Sequence, residues 1–206
     1  MDANDKSLKK AIILIVVILF CILGCSSYLI YPFPEKDTLS VSQPESFIIS
    51  KTNRFEIQPP NKCAAYATAF ILRNFGVEAK GFQVYEEIPF KIPFSGYVFP
   101  KGILTYFESK ELKPKLFKGN LETLKRRLAK GEPIIVLIGQ SYRWQHYMTL
   151  IGYKNDKKEL YFYDSKKKYD ENGKLPGNRT LKEDYFLTLW DNGLPIFNHI
   201  YIEINQ

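Results

Sequence analysis

The chain has 206 residues, of which 45% are hydrophobic, 15% aromatic and 25% charged. That make-up fits one globular domain with a short appendage and excludes a disordered tail, a collagen-like fibre and a polytopic membrane protein. Lys and Arg outnumber Asp and Glu by 29 to 22, a net +7, but the charges are scattered. The one basic run, at Lys166, Lys167 and Lys168, reads as a solvated turn, so no nucleic-acid partner is expected. Three cysteines and two histidines exclude a disulfide framework and leave little room for a zinc site of several Cys and His ligands.

Residues 11–31, AIILIVVILFCILGCSSYLIY, carry no charge and follow Lys6, Lys9 and Lys10. A bilayer core takes about 20 apolar helical residues, so the stretch is long enough to span, and the lysines favour an N-terminus inside with the bulk of the chain outside. Ile22, Leu23, Gly24 and Cys25 also resemble the lipobox of bacterial lipoproteins, with residues 11–24 as the signal-peptide core. Uncleaved anchor and lipoprotein remain alternatives, and both place the domain at an extracytoplasmic bacterial surface. Residues 1–31 are therefore expected as the membrane segment and 32–54, with Pro32, Pro34 and Pro44, as an extended tether. Phe47 to Ile49 is a candidate edge strand at the start of the domain, which is assigned to residues 55–206.

The first helix signal is KCAAYATAFILRNFG, residues 62–76, with Asn61 as N-cap and Gly76 as stop. Residues 77–100 are aromatic and rich in turn formers, with a short helix expected near Phe82–Glu87. Further helices are expected near Ile103–Lys110 and from Asn120 to Gly131, the latter with Leu121, Leu124 and Leu128 on one face. The second half reads as strands at Pro133–Ile138, Tyr147–Tyr153 and Glu159–Asp164. A polar loop over 165–180, holding Gly173, Pro176 and Gly177, leads to a helix at Lys182–Trp190 and a last strand at Ile196–Ile204. Helices first and antiparallel strands later make an α+β domain.

Cys63 is the only cysteine outside the leader and falls in the first turn of a helix, where unpaired N–H groups favour a thiolate. A nucleophilic thiol needs a base, and His146 opens a strand after the polar loop SYRWQ. Asp164 closes the next strand, YFYDS, so in an antiparallel hairpin it lies beside His146 and can hold the second imidazole N–H. Gln58, five residues before Cys63, offers an amide N–H donor for an oxyanion. Taken singly, each residue also has an ordinary structural reading: a small buried thiol, a strand-edge histidine, a turn-capping carboxylate, a solvated glutamine. His199 reads as structural. Tyr142 and Trp144 either wall a groove or pack the loop down. Tyr97, Phe99 and Phe94 lie where they could meet substrate, and Asn178 and Asp184 show no role.

QPPNKCAAYATAFILRNFG, GEPIIVLIG, HYMTLIGY and ELYFYDS together resemble the papain-like cysteine peptidases, in particular the bacteriocin-processing (double-glycine leader) peptidase-like domains. The resemblance runs from about residue 55 to the end, including the helix with Trp190 and the last strand. It implies a papain-like fold, helical half against antiparallel sheet. It also implies that Cys63 is the nucleophile, His146 the base, Asp164 its partner and Gln58 the oxyanion donor, acting on a peptide or protein substrate without metal or organic cofactor. Ala64 stands where that family usually has Gly, and the Gln58–Cys63 spacing is one residue short, so the oxyanion hole is the weakest match. A binding module that kept the fold and lost the chemistry, or an acyl-transferring thiol enzyme, are the alternatives.

Overall fold

A computed structural model describes residues 3–51, 53–167 and 177–206. Lys168, Gly173 and Pro176 of the polar loop lie outside the described residues, as do the side chains of Lys6, Cys21, Ile22, Leu23 and Cys25. The chain divides into two compact units, residues 1–32 and 33–206.

The first unit is one helix, α1 (Ala3–Ile30). Its described apolar side chains form an exposed run from Ile12 to Phe20, each 48–79% exposed. Among the described residues no helix is long and apolar enough to cross a membrane, so the expected membrane helix over residues 11–31 is not supported.

The second unit is built on an eight-stranded mixed sheet. Its strands are β1 (Glu35–Lys36), β2 (Ser46–Ile48), β3 (Lys113–Lys118), β4 (Ile134–Gln140), β5 (Trp144–Lys154), β6 (Glu159–Tyr163), β7 (Arg179–Lys182) and β8 (Ile200–Asn205). The order is β1-β3-β8-β4-β5-β6-β7, with β2 added to the far half of β5. Among the described strands only the β1–β3 pair is parallel. The helices are α2 (Cys63–Asn74), α3 (Gly81–Glu87), α4 (Pro100–Glu108), α5 (Leu121–Leu128) and α6 (Glu183–Trp190). This is the α+β class that the order of elements predicts.

The side-chain period of a strand sorts the core into two layers. On one face Ile135 and Leu137 of β4, Tyr147 of β5 and Ile200, Ile202 and Ile204 of β8 pack with α2, α3 and α4. On the other, Ile134, Val136 and Ile138 of β4, Met148 and Leu150 of β5 and Tyr201 of β8 pack with Leu124 and Leu128 of α5 and Phe186 and Trp190 of α6. β4 is apolar at five consecutive positions because both of its faces are covered. Helix α2 is Ala-rich and buries every side chain except Arg73, which lets it lie close against its neighbours. The ring of Tyr66 illustrates this closeness: a Cβ at Gly81 would sit 2.5 Å from it, so α3 can start there only with glycine.

Three expectations change. The segment 32–54 is no free tether. β1 pairs with β3 and β2 with β5, because Phe47 and Ile49 have apolar partners on the sheet and Asp37 has a buried cation. Asn61 does not cap α2. It sits at φ 63° with its amide donating to the Ser95 carbonyl at 2.9 Å, and Lys62 occupies the N-cap without a side-chain bond. Strand β3, KPKLFK, is absent from the sequence reading. Its lysines and proline mask an alternation that buries only Leu116 and Phe117. Helix α5, by contrast, starts as expected at Asn120, whose side chain accepts from the Thr123 amide at 2.9 Å while Thr123 Oγ1 accepts from the Asn120 amide at 3.0 Å. Asn120→Ala removes that box and is expected to cost about 1 kcal/mol, read as a lower midpoint in urea with an unchanged slope.

Candidate active site

Cys63 is the first residue of α2 and is 3% exposed. It stands where the first N–H groups of the helix lack intrahelical partners, and the Tyr147 backbone amide hydrogen-bonds to its sulfur. Burial alone would push the thiol up. The interaction with the His146 imidazole outweighs burial, the Tyr147 amide and Lys166 add to it, and the thiol is held below its ordinary value.

His146 lies in the part of β5 that β6 does not reach, since their pairing begins at Thr149 opposite Tyr163. The ring is 1% exposed. Its Nε2–H donates to Asp164 Oδ1 at 2.7 Å. Nδ1 has no ordinary hydrogen-bond partner among the described residues, which leaves it as the nitrogen available to the thiol. Burial would lower the imidazole, but the bond to Asp164 and the interaction with Cys63 raise it to about 9. A lowered thiol beside a raised imidazole is the pattern of a thiolate–imidazolium pair.

Asp164 follows β6 directly and is fully buried. Burial pushes its carboxyl up, yet His146, the Lys166 amide and Arg179 hold it far below the usual carboxylate range. Oδ1 accepts from the Lys166 amide at 2.9 Å and Oδ2 from Arg179 Nη1 at 2.6 Å. Asn178, also buried, clamps the backbone: its Oδ1 accepts from the Asp164 amide at 2.7 Å and its Nδ2 donates to the Asp164 carbonyl at 2.9 Å. Sequence reasoning gave Asn178 no role and missed Arg179. Both lie at the start of β7, where Arg179 pairs with Phe162. The polar character of residues 165–180 conceals that strand, so only its register points to the two residues.

The structure thus brings Cys63, His146 and Asp164 together. Gln58 is held near the same corner, but differently from the expectation. Its Oε1 accepts from Ser165 Oγ at 2.5 Å, its backbone N–H donates to the Ser165 carbonyl at 2.9 Å, and its side-chain Nε2 donates to the Pro59 carbonyl at 3.2 Å. Two consecutive prolines after Gln58 fix its approach, and the amide donor is engaged within its own segment. His199 packs its ring 5.1 Å from that of Trp190, in keeping with a structural role. Asp184 sits in the first turn of α6, where a negative charge suits the helix N-terminus. Among the described residues no group of three or more His, Cys, Asp and Glu is placed to hold a metal ion.

At the start of β5 opens a cavity of about 200 Å³, lined by Tyr97, Val98, Phe99, Leu137, Trp144 and Tyr147 among others but not by Cys63, His146 or Asp164. Tyr142 stands at its edge, 91% exposed, while Phe94 is fully exposed and does not line it.

The sequence matches the Peptidase C39-like family over residues 49–190, well over half of the chain. The chain belongs to the Peptidase C39-like family. Membership in that family makes it a cysteine peptidase by descent, and solved structures agree on the fold. The peptidase domain of Streptococcus ComA, a bifunctional ABC transporter of a quorum-sensing pathway, is 16% identical, with a TM-score of 0.53 over 75% of this chain and 98% of that one. A double-glycine-motif protease from an AMS/PCAT transporter, solved with a leader peptide, is 17% identical, with a TM-score of 0.51 over 77% and 94%. Xylellain, a cysteine protease of Xylella fastidiosa, is 10% identical, with a TM-score of 0.57 over 84% and 91%. No curated protein matches the sequence significantly. The papain-like fold of this C39-like peptidase therefore rests on structural likeness at low identity.

Proposed function

We propose that the chain is an extracytoplasmic, membrane-tethered cysteine peptidase that hydrolyses peptide or amide bonds through Cys63, His146 and Asp164. The observation that carries this reading is the buried imidazole, fixed by a charged carboxylate on one nitrogen and left facing a lowered thiol with the other. Cys63 attacks the scissile carbonyl carbon as thiolate. His146 holds the proton, donates it to the leaving amine, and then takes a proton from the water that hydrolyses the thioester. Asp164 keeps the imidazole in the required tautomer and stabilises its cationic form. The Cys63 N–H at the start of α2 is the fixed oxyanion donor. Gln58 Nε2 joins it once it releases the Pro59 carbonyl on substrate binding. Tethering rests on the uncharged stretch 11–31 behind three lysines. The intact mass of the mature protein separates the two forms: acylated Cys25 at the N-terminus for a lipoprotein, an unprocessed Met1 for an anchor.

Alkylation of Cys63 by iodoacetamide across pH tests the chemistry. Rapid labelling well below pH 7 is expected, with a fall in hydrolysis above about pH 9 as the imidazolium of His146 loses its proton. His146→Ala should move the profile up to that of an ordinary thiol, with a midpoint at or above about 8.5 because burial is then no longer offset by the imidazolium. A wild-type profile of that ordinary shape sinks the proposal and favours a binding module.

A further inference from the structure

We infer that the cavity at the start of β5 takes one large apolar side chain, aromatic or branched aliphatic, of a peptide residue flanking the scissile bond. The inference rests on the proposed peptidase function. It departs from what the double-glycine relatives would suggest. Three observations lead to it. Trp144, Gln145 and Tyr147, which flank His146 in the chain, line the cavity, and the Tyr147 amide is the one that hydrogen-bonds to the Cys63 sulfur. Its walls are apolar, with Val98, Phe99 and Pro100 on one side, Leu137 and Tyr147 of the sheet at the floor, and Leu194 and Phe197 opposite. Tyr147 is pinned there by its hydroxyl, which donates to the Val98 carbonyl at 3.2 Å, so the floor is fixed before any ligand arrives.

Size then selects the occupant. The cavity measures about 200 Å³. An apolar cavity of roughly 150 Å³ accepts benzene, so a phenyl or isobutyl group fills this one, whereas glycine leaves it empty. An empty apolar cavity next to a bound peptide forfeits the burial that a large side chain would contribute.

The test uses the full chain and matched fluorogenic peptides that differ only at the residues flanking the scissile bond. One series carries Phe or Leu, the other Gly-Gly. A preference in kcat/KM on the order of tenfold to a hundredfold for Phe or Leu is expected. Leu194→Trp, which fills the cavity from its half-buried rim, should erase that preference while the Phe and Gly-Gly peptides converge. Equal or better cleavage of the Gly-Gly peptide by the wild-type chain overturns the inference. No cleavage of either series, together with an ordinary thiol labelling profile at Cys63, overturns the peptidase reading instead.

Discussion

Cys63→Ala leaves peptide hydrolysis at the level that binding and oxyanion donors sustain alone, a loss on the order of ten-thousandfold or more. The loss is chemical, since the substitution suits the fold. Ala is the best helix former, the position lies in an Ala-rich helix, and only one sulfur atom leaves a buried site. Circular dichroism and the melting midpoint should therefore stay within a few degrees of wild type. Asp164→Ala differs on both counts. It takes the partner from His146 and leaves Arg179 without a buried anion 2.6 Å away. Activity and stability should fall together there, whereas they separate in Cys63→Ala. Full activity in Cys63→Ala would remove the thiol from the mechanism.

Arg127→Met is expected to destabilise the domain by about 3–5 kcal/mol. The Arg127 guanidinium holds two buried carboxylates at once: Nε and Nη2 donate to Asp37 at 2.9 and 2.8 Å, and Nη1 donates to Glu203 at 2.7 Å. Methionine fills the space against Phe117 but leaves both acids deprived of that partner, and Tyr201 and Lys130 supply only part of what is lost. For a domain of this length the melting midpoint should fall by roughly 6–20 °C. The effect has a defined pH window. Burial would raise the Asp37 carboxyl, but Arg127, Tyr201 and the Leu39 amide bring it down to about 2. A depressed carboxylate stabilises the fold above its unfolded value near 4, and that contribution disappears as pH falls through about 2. The difference in midpoint between wild type and Arg127→Met should accordingly narrow between pH 4 and pH 2. A constant difference over that window would remove Asp37 from the account.

Much of the site is legible in the sequence because its parts sit at element boundaries. A cysteine opening an Ala-rich helix, a histidine at the head of one strand and an aspartate at the tail of its hairpin partner are placed by periodicity and turn signals. What supports them is not. Asn178 and Arg179 act on Asp164 across a 14-residue gap in which polar composition hides strand β7. The orientation of Gln58 depends on Ser165, 107 positions away. The same limit applies to the fold. Helix α5 is readable from its cap and leucines, and β4 from its apolar run. β1 and β3 are stabilised by distant partners, an ion pair with α5 and a ladder with β8, which no local window contains. The cavity walls come from three separated segments, so the aromatic residues at 97, 99 and 144 are visible in the sequence while the space they enclose is not.

β8, the last strand of the chain, lies between β3 and β4 near the middle of the sheet. A polypeptide leaving the ribosome therefore cannot close this sheet as it emerges. β3, and through it β1, is joined to the rest of the sheet only when residues 200–205 have been released. Until then the N-terminal half presents open strand edges and the reactive thiol has no completed scaffold behind it. The scaffold behind the thiol is thus completed only once residues 200–205 have joined the ladder.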